Sequence, residues 1–131
     1  MANLLREVVT LNKELTAIYT AMLILALEYL HAKNIIHRNI KPENLIFSNT
    51  GFLKLIDLGF CKIVKDKTFT ICGTPEYMAP EMILNKGGGK SMDFWALGIL
   101  IYEMMIGVDP FSDETYDIYN TLQNIVTKDP K

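Results

Sequence analysis

The sequence predicts a mainly α chain with one small β-hairpin, an α+β fold whose helices supply the core. Three observations lead there. Two strongly apolar runs, Ile18–Leu30 and Phe94–Val108, have the length and composition of buried helices. Between them, Leu45-Ile46-Phe47, then Ser48-Asn49-Thr50-Gly51, then Phe52–Ile56 reads as strand, turn, strand. The chain has 131 residues, half of them hydrophobic and 21% charged, so it is one domain or part of one and buries a core.

In chain order, Leu4, Leu5, Val8 and Val9 recur at helical spacing and predict a short helix over Asn3–Val9. Asn12 is an N-cap, and Glu14 in the first turn suits the helix dipole. From Lys13 to Ala32 apolar positions cover most faces, which predicts a central helix, with His31 and Lys33 at its positive-favouring end. His31 reads as a capping or packing residue. Pro42 stops any helix and biases Lys41 to an extended conformation. From Phe60 to Tyr77 periodicity is lost and a loop is expected, and Gly87-Gly88-Gly89 reads as a flexible connection. Ser91 is the expected N-cap of Phe94–Ile106, with Asp93 in the first turn and Gly107 as the stop. A last helix is expected from Glu114 to about Val126, capped by Asp113 or Ser112, with Tyr116, Ile118, Tyr119, Leu122, Ile125 and Val126 on its apolar face.

The net charge of −2 gives no reason to expect nucleic acid or an anionic membrane as partner. Both apolar runs are too short to span a bilayer, each carries a Glu (Glu28, Glu103), and Met1–Lys13 has no signal-peptide pattern. Cys61 and Cys72 form no CxxC pair and have no His at metal spacing, so reduced thiols in a cytoplasmic setting are expected.

Four motifs follow in order: His37-Arg38-Asn39-Ile40-Lys41-Pro42-Glu43-Asn44, Asp57-Leu58-Gly59, Cys72-Gly73-Thr74-Pro75-Glu76-Tyr77-Met78-Ala79-Pro80-Glu81, and Asp93-Phe94-Trp95-Ala96-Leu97-Gly98. From about Leu5 onward the chain resembles the C-terminal lobe of a eukaryotic Ser/Thr protein kinase of the AGC group, closest to the cyclic-nucleotide-dependent branch. The resemblance implies a partial protein-kinase-like fold without the N-lobe sheet. It runs from the helix before the catalytic loop through the helix after the central apolar one.

The same resemblance implies roles. Asn39 stands at the catalytic Asp position, and Lys41 matches the lysine that steadies the transferred phosphate. Asn44 and Asp57 match the Mg²⁺-binding positions, where a hard cation takes carboxylate and amide oxygen. Ile46 matches the floor of the adenine site for ATP. Thr70 matches the activation-loop phosphosite, with Arg38 and Lys62 placed to pair with the phosphate. Thr74 matches a threonine that bonds the catalytic aspartate and lysine, Asp93 a buried carboxylate holding the loop, and His37 with Leu58 two apolar-stack positions. Glu43, Glu76 and Glu103 match acidic positions that recognise arginines, implying Arg-containing Ser/Thr protein substrates or another kinase chain as partner.

Three departures temper this. Asn39 cannot act as a carboxylate base, and losing a positioned base costs roughly a hundred- to ten-thousand-fold. The sequence has no G-x-G-x-x-G, so an ATP site would have a floor and no roof. The chain stops after the helix near Val126, which predicts that Glu81 lacks its family arginine partner, and the truncations at the two ends together predict uncovered apolar surface on the Ile18–Leu30 and Phe94–Ile106 helices. The isolated chain is therefore expected to be inactive or nearly so. Three readings follow: a kinase piece completed by an N-lobe, a pseudokinase-type interaction module, or a degenerate product with no selected role.

Overall fold

The computed structural model describes residues 1–112 and 117–131. Its elements are α1 (Ala2–Val8), α2 (Lys13–Ala32), β1 (Ile35–Ile36), β2 (Leu45–Phe47), β3 (Leu53–Leu55), β4 (Lys62–Ile63), α3 (Pro80–Ile83), α4 (Ser91–Ile106) and α5 (Ile118–Thr127). Single 3₁₀ turns occupy Pro42–Asn44, Leu58–Phe60 and Pro75–Tyr77. The fold is mainly α with small antiparallel sheets, as the sequence predicts.

Asn12 starts α2: its side chain accepts from the Leu15 N–H at 2.9 Å, satisfying one of the orphan donors of the first turn. Along α2 only Thr16, Leu23, Leu27 and His31 are buried. That spacing is one stripe, and it packs against α4, β1 and β3. The expectation of a central helix is corrected here, because only one side has protein against it; Leu25 and Tyr29 on other faces are each 65% exposed. At 20 residues with a mean hydropathy of 1.5, α2 is long and apolar enough to cross a membrane by length and composition alone, which the shorter run Ile18–Leu30 understated.

The hairpin forms in the expected place. Its register pairs Leu45 with Leu55, Ile46 with Lys54 and Phe47 with Leu53. A second antiparallel pair was not foreseen: β1 and β4 join Ile35 to Ile63 and Ile36 to Lys62. Two-residue strands carry almost no alternation, so no period marks them in the sequence.

The main core gathers Leu23 and Leu27 of α2, Ile40 and Leu45, and Leu97, Leu100 and Met104 of α4. A second cluster joins Ile99, Phe111 and Ile125. Phe94 and Ile106, at the two ends of α4, are 52% and 53% exposed. Uncovered apolar surface on α2 and α4 is thus present, as expected.

Three local expectations need correction. Gly87-Gly88-Gly89 is no flexible connection: Thr68 and Gly88 exchange backbone bonds at 2.8 and 2.9 Å, and a Cβ on Gly88 would lie 2.2 Å from the Met92 sulfur. Glycine is needed there because the chain passes directly over two methionines. Ser91 caps nothing; Lys90 holds the N-cap position of α4, and the Ser91 hydroxyl donates to Glu81 Oε1 at 2.9 Å. Glu81 thus takes a hydroxyl partner, and no arginine pairs with it among the described residues, as expected. Finally, Asp117 caps α5 through the Asn120 N–H, whereas Ser112 lies beside Thr121. Asp113, Glu114 and Tyr116, expected at the start of that helix, lie outside the described residues.

Candidate functional site

A loop is held in shape by one buried carboxylate. Asp93, in the first turn of α4, is fully buried. Its Oδ2 accepts from the His37 N–H at 2.9 Å and from His31 Nε2 at 2.7 Å, and its Oδ1 accepts from the Arg38 N–H at 2.8 Å. Arg38 has φ 66°, a left-handed conformation that a β-carbon disfavours, and this cradle keeps it there. Gly73 closes on the same turn: a Cβ there would lie 2.7 Å from the Arg38 carbonyl oxygen. His31 is therefore more than a capping or packing residue. Its partner is 62 positions away, and nothing local in the sequence marks the pair.

His37 is also fully buried, which pushes its imidazole pKa down. The bonds agree with a neutral ring: Nδ1 accepts from the Asn39 N–H at 3.3 Å, and Nε2–H donates to the Ile56 carbonyl at 3.2 Å. Leu58, its expected stacking companion, is 61% exposed and departs from that expectation, because the turn 58–60 carries it outward.

Around this frame, Asn39 is almost buried, and its Oδ1 accepts from the Thr74 hydroxyl at 3.3 Å. Asn44 donates through Nδ2 to the Asn39 carbonyl at 2.7 Å, leaving its own Oδ1 free to accept. The Ile56 N–H bonds the Asn44 carbonyl at 2.9 Å, so Asn44 and Asp57 flank the open end of the β2–β3 hairpin. Asp57 is exposed and left-handed at φ 62°, with Oδ1 accepting from the Gly59 N–H at 3.1 Å. One amide oxygen and one free carboxylate oxygen at a hairpin mouth fit a Mg²⁺ ion that is shared with phosphates and water. No cluster of three His, Cys, Asp or Glu exists among the described residues, so a self-sufficient metal cage is not on offer. Ile46 beside it is 43% exposed.

A second locus is acidic. A cleft of about 440 Å³ is lined by Glu43, Glu76, Glu103 and Asp109, with Thr74, Tyr77 and Lys131 on its walls. Three different elements deliver the glutamates: the turn after Lys41, the turn before α3, and the last part of α4. Burial pushes the Glu103 carboxyl pKa up, and the charges of Glu43, Asp109 and Glu76 add to the rise, while the Tyr77 hydroxyl, donating to Glu103, opposes it. The Tyr77 phenol is itself raised by burial and by Glu103. Asp109 was missed by sequence reading. Its Oδ1 accepts from the Phe111 and Ser112 N–H groups at 3.0 and 2.7 Å, and the Asp109-Pro110 turn signal was the available hint.

The third locus joins Thr70 to Lys62, whose Nζ donates to Thr70 at 3.3 Å and to Thr68 at 3.0 Å. Arg38 does not bond Thr70. Its Nε donates to the Phe60 carbonyl at 2.6 Å, and its buried Nη1 has no partner among the described residues. Cys61 and Cys72 are free thiols, and burial pushes the Cys61 pKa up.

Comparison with known proteins bears on these loci. The protein kinase domain family matches residues 1–130. The cAMP-dependent protein kinase catalytic subunit of Dictyostelium discoideum is 52% identical over 119 residues, which is 90% of this chain and 18% of that protein. Catalytic subunit 3 of Drosophila melanogaster is 48% identical over 90% of this chain and 20% of its own length. The cAMP-dependent protein kinase type 3 of Saccharomyces cerevisiae is 44% identical over 98% of this chain and 32% of its own length. The chain thus spans about a fifth to a third of the length of these relatives.

Proposed function

This chain belongs to the protein kinase family, and from that premise we propose that it is built to present a Ser or Thr of an arginine-containing peptide to the γ-phosphate of Mg-ATP, with the transfer step impaired by Asn39. The observation that carries the reading is the acidic cleft: Glu43, Glu76 and Glu103 converge on one concavity whose wall includes Thr74, and Thr74 bonds Asn39. Arginine side chains of a peptide seated there would put a neighbouring hydroxyl at the loop.

Each group has a task in this reading. Asn44 and Asp57 hold Mg²⁺, whose chemistry is to neutralise phosphate charge and orient the nucleotide. Lys41 places a point charge beside the transferred group. Asn39 keeps the shape of a carboxylate and accepts a bond from Thr74, but it takes no proton at neutral pH. Phosphorylated Thr70 would meet Lys62, already within bonding distance. The setting is cytoplasmic, in keeping with two free thiols.

A specific observation favours a second reading as well. The amide at position 39 accepts from Thr74 beside a loop whose backbone is held by Asp93, which suits a module that binds peptide without turnover. The test joins this chain to the ATP-binding lobe of a cAMP-dependent catalytic subunit and compares Asn39 with Asn39→Asp in a radiolabelled phosphate-transfer assay. We expect Asn39→Asp to be faster by about a hundred- to ten-thousand-fold. Equal rates would show that Asn39 is not the limiting change.

A further inference from the structure

The loop that holds Asn39 has lost the charge that would repel a phosphate and kept the groups that would bind one. The Asn39 Oδ1 accepts from the Thr74 hydroxyl at 3.3 Å, the one side-chain hydrogen bond of Asn39 among the described residues, so the end of the amide left over is Nδ2 with its two N–H donors. Two residues on, Lys41 is extended (φ −167°, ψ 164°) and part-exposed; its carbonyl accepts from the Asn44 N–H at 3.1 Å, while its ammonium makes no ion pair or hydrogen bond among the described residues. Ile40 between them is fully buried and fixes the loop to the core. A carboxylate at position 39 would put negative charge against any phosphoryl dianion held by Lys41. The amide offers donors in the same place.

The adjoining cleft has the opposite character. Glu43, two residues beyond Lys41, is its first carboxylate, and Thr74 belongs both to the cleft wall and to the Asn39 contact. Thr74 thus joins the amide at position 39, 6% exposed, to a cleft that holds, among the described residues, four carboxylates and one cation, Lys131. The ligand complementary to it is zwitterionic in the same order: a phosphate ester next to basic side chains.

We infer that this chain binds the phosphorylated form of an arginine-containing Ser/Thr peptide in preference to the unphosphorylated form, retaining a reaction product where a carboxylate-bearing loop would release it. The inference rests on the acidic cleft being a site for basic peptides, as proposed above. It needs neither ATP nor Mg²⁺, so it is separable from phosphotransfer.

The experiment is fluorescence anisotropy on the 131-residue chain in EDTA, without nucleotide. The probes are a labelled ten-residue peptide with two arginines and one serine, its phosphoserine form, and a phosphoserine peptide with the arginines replaced by alanine. The arginine phosphopeptide should bind about tenfold more tightly than its unphosphorylated form, the worth of one charge-assisted bond. Asn39→Asp should erase or reverse that preference, and Lys41→Gln should shrink it. Should the Asn39→Asp chain not fold, as read by far-UV circular dichroism, the Lys41→Gln result decides alone. Equal binding of the two arginine peptides, tighter binding of the unphosphorylated one, or a preference unmoved by the variants overturns the inference and leaves the cleft reading standing. The alanine phosphopeptide binding as well as the arginine one would sink the cleft reading and spare the phosphate site. No binding of any probe overturns both.

Discussion

Asp93 and Glu103 lie ten residues apart on the same helix, and their surroundings are opposite. Asp93 sits in the first turn of α4, where the helix dipole favours a negative charge. It is fully buried and accepts three bonds, from His31, His37 and Arg38. Glu103 sits near the C-terminal end, where the dipole disfavours it. It receives one bond, from Tyr77, and faces Glu43, Glu76 and Asp109 across a cleft. The first arrangement is what a structural carboxylate looks like: both oxygens are engaged, by three donors in all. The second sets four carboxylates around a cleft with Lys131 as the one cation on its wall among the described residues, and a group held that way gains from a cationic ligand. The contrast separates the frame of the molecule from the acidic cleft proposed as its binding surface.

The strongest way to break the contrast is Asp93→Ala. It leaves two buried backbone N–H groups and the His31 ring without an acceptor and releases the left-handed Arg38. We expect a loss of about 3–5 kcal/mol, enough to unfold a marginal chain. Urea denaturation followed by circular dichroism reads it, and a loss below about 1 kcal/mol would place Asp93 outside the frame. His31→Leu removes one of the three donors and should cost about 1–3 kcal/mol on the same measurement.

Gly98→Ala probes the helix that both carboxylates share. Gly98 is exposed, mid-helix, and an added Cβ meets nothing within 4 Å. The change should stabilise the chain by about 0.5–1 kcal/mol. A destabilisation would mean that the face of α4 around Gly98 is covered in solution.

At the other end of the contrast, Glu103→Gln should cost little stability at neutral pH while weakening arginine-peptide binding. Its pH signature has a definite sign. The folded-state pKa of Glu103 is raised above the usual 4.5, so the native state holds the proton more tightly than the unfolded chain. Its contribution to stability is complete below about pH 4.5 and is lost as pH rises through the folded-state value. The urea midpoint of the wild type should therefore fall more steeply than that of Glu103→Gln over this window. Parallel curves would show that Glu103 carries no strain in the folded chain.

Legibility in the sequence followed the range of the forces involved. The α2 boundaries, the Asn12 cap and the place of the hairpin are local: capping geometry and short-range patterning set them within a few residues. The Ser91 cap and the glycine run misled for a related reason. Each residue type has a local habit, and a distant partner overrode it, Glu81 for Ser91 and Thr68 for Gly88. The motif order carried more than periodicity did: the family assignment and the grouping of Glu43, Glu76 and Glu103 came through resemblance.

By itself, then, the sequence determined α1, α2, α4, the hairpin, the family and the substitution of an amide at position 39, while α3 and the start of α5 escaped it. Only the tertiary structure decided what surrounds each polar group. It buried Asp93 under donors 55 to 62 residues away in sequence, set Glu103 among like charges, and fixed the Asn39 Oδ1 on Thr74 so that Nδ2 was left free. Backbone preferences act over a few residues, whereas electrostatics and hydrogen bonding act through space. The chemistry of this chain was settled by the through-space contacts.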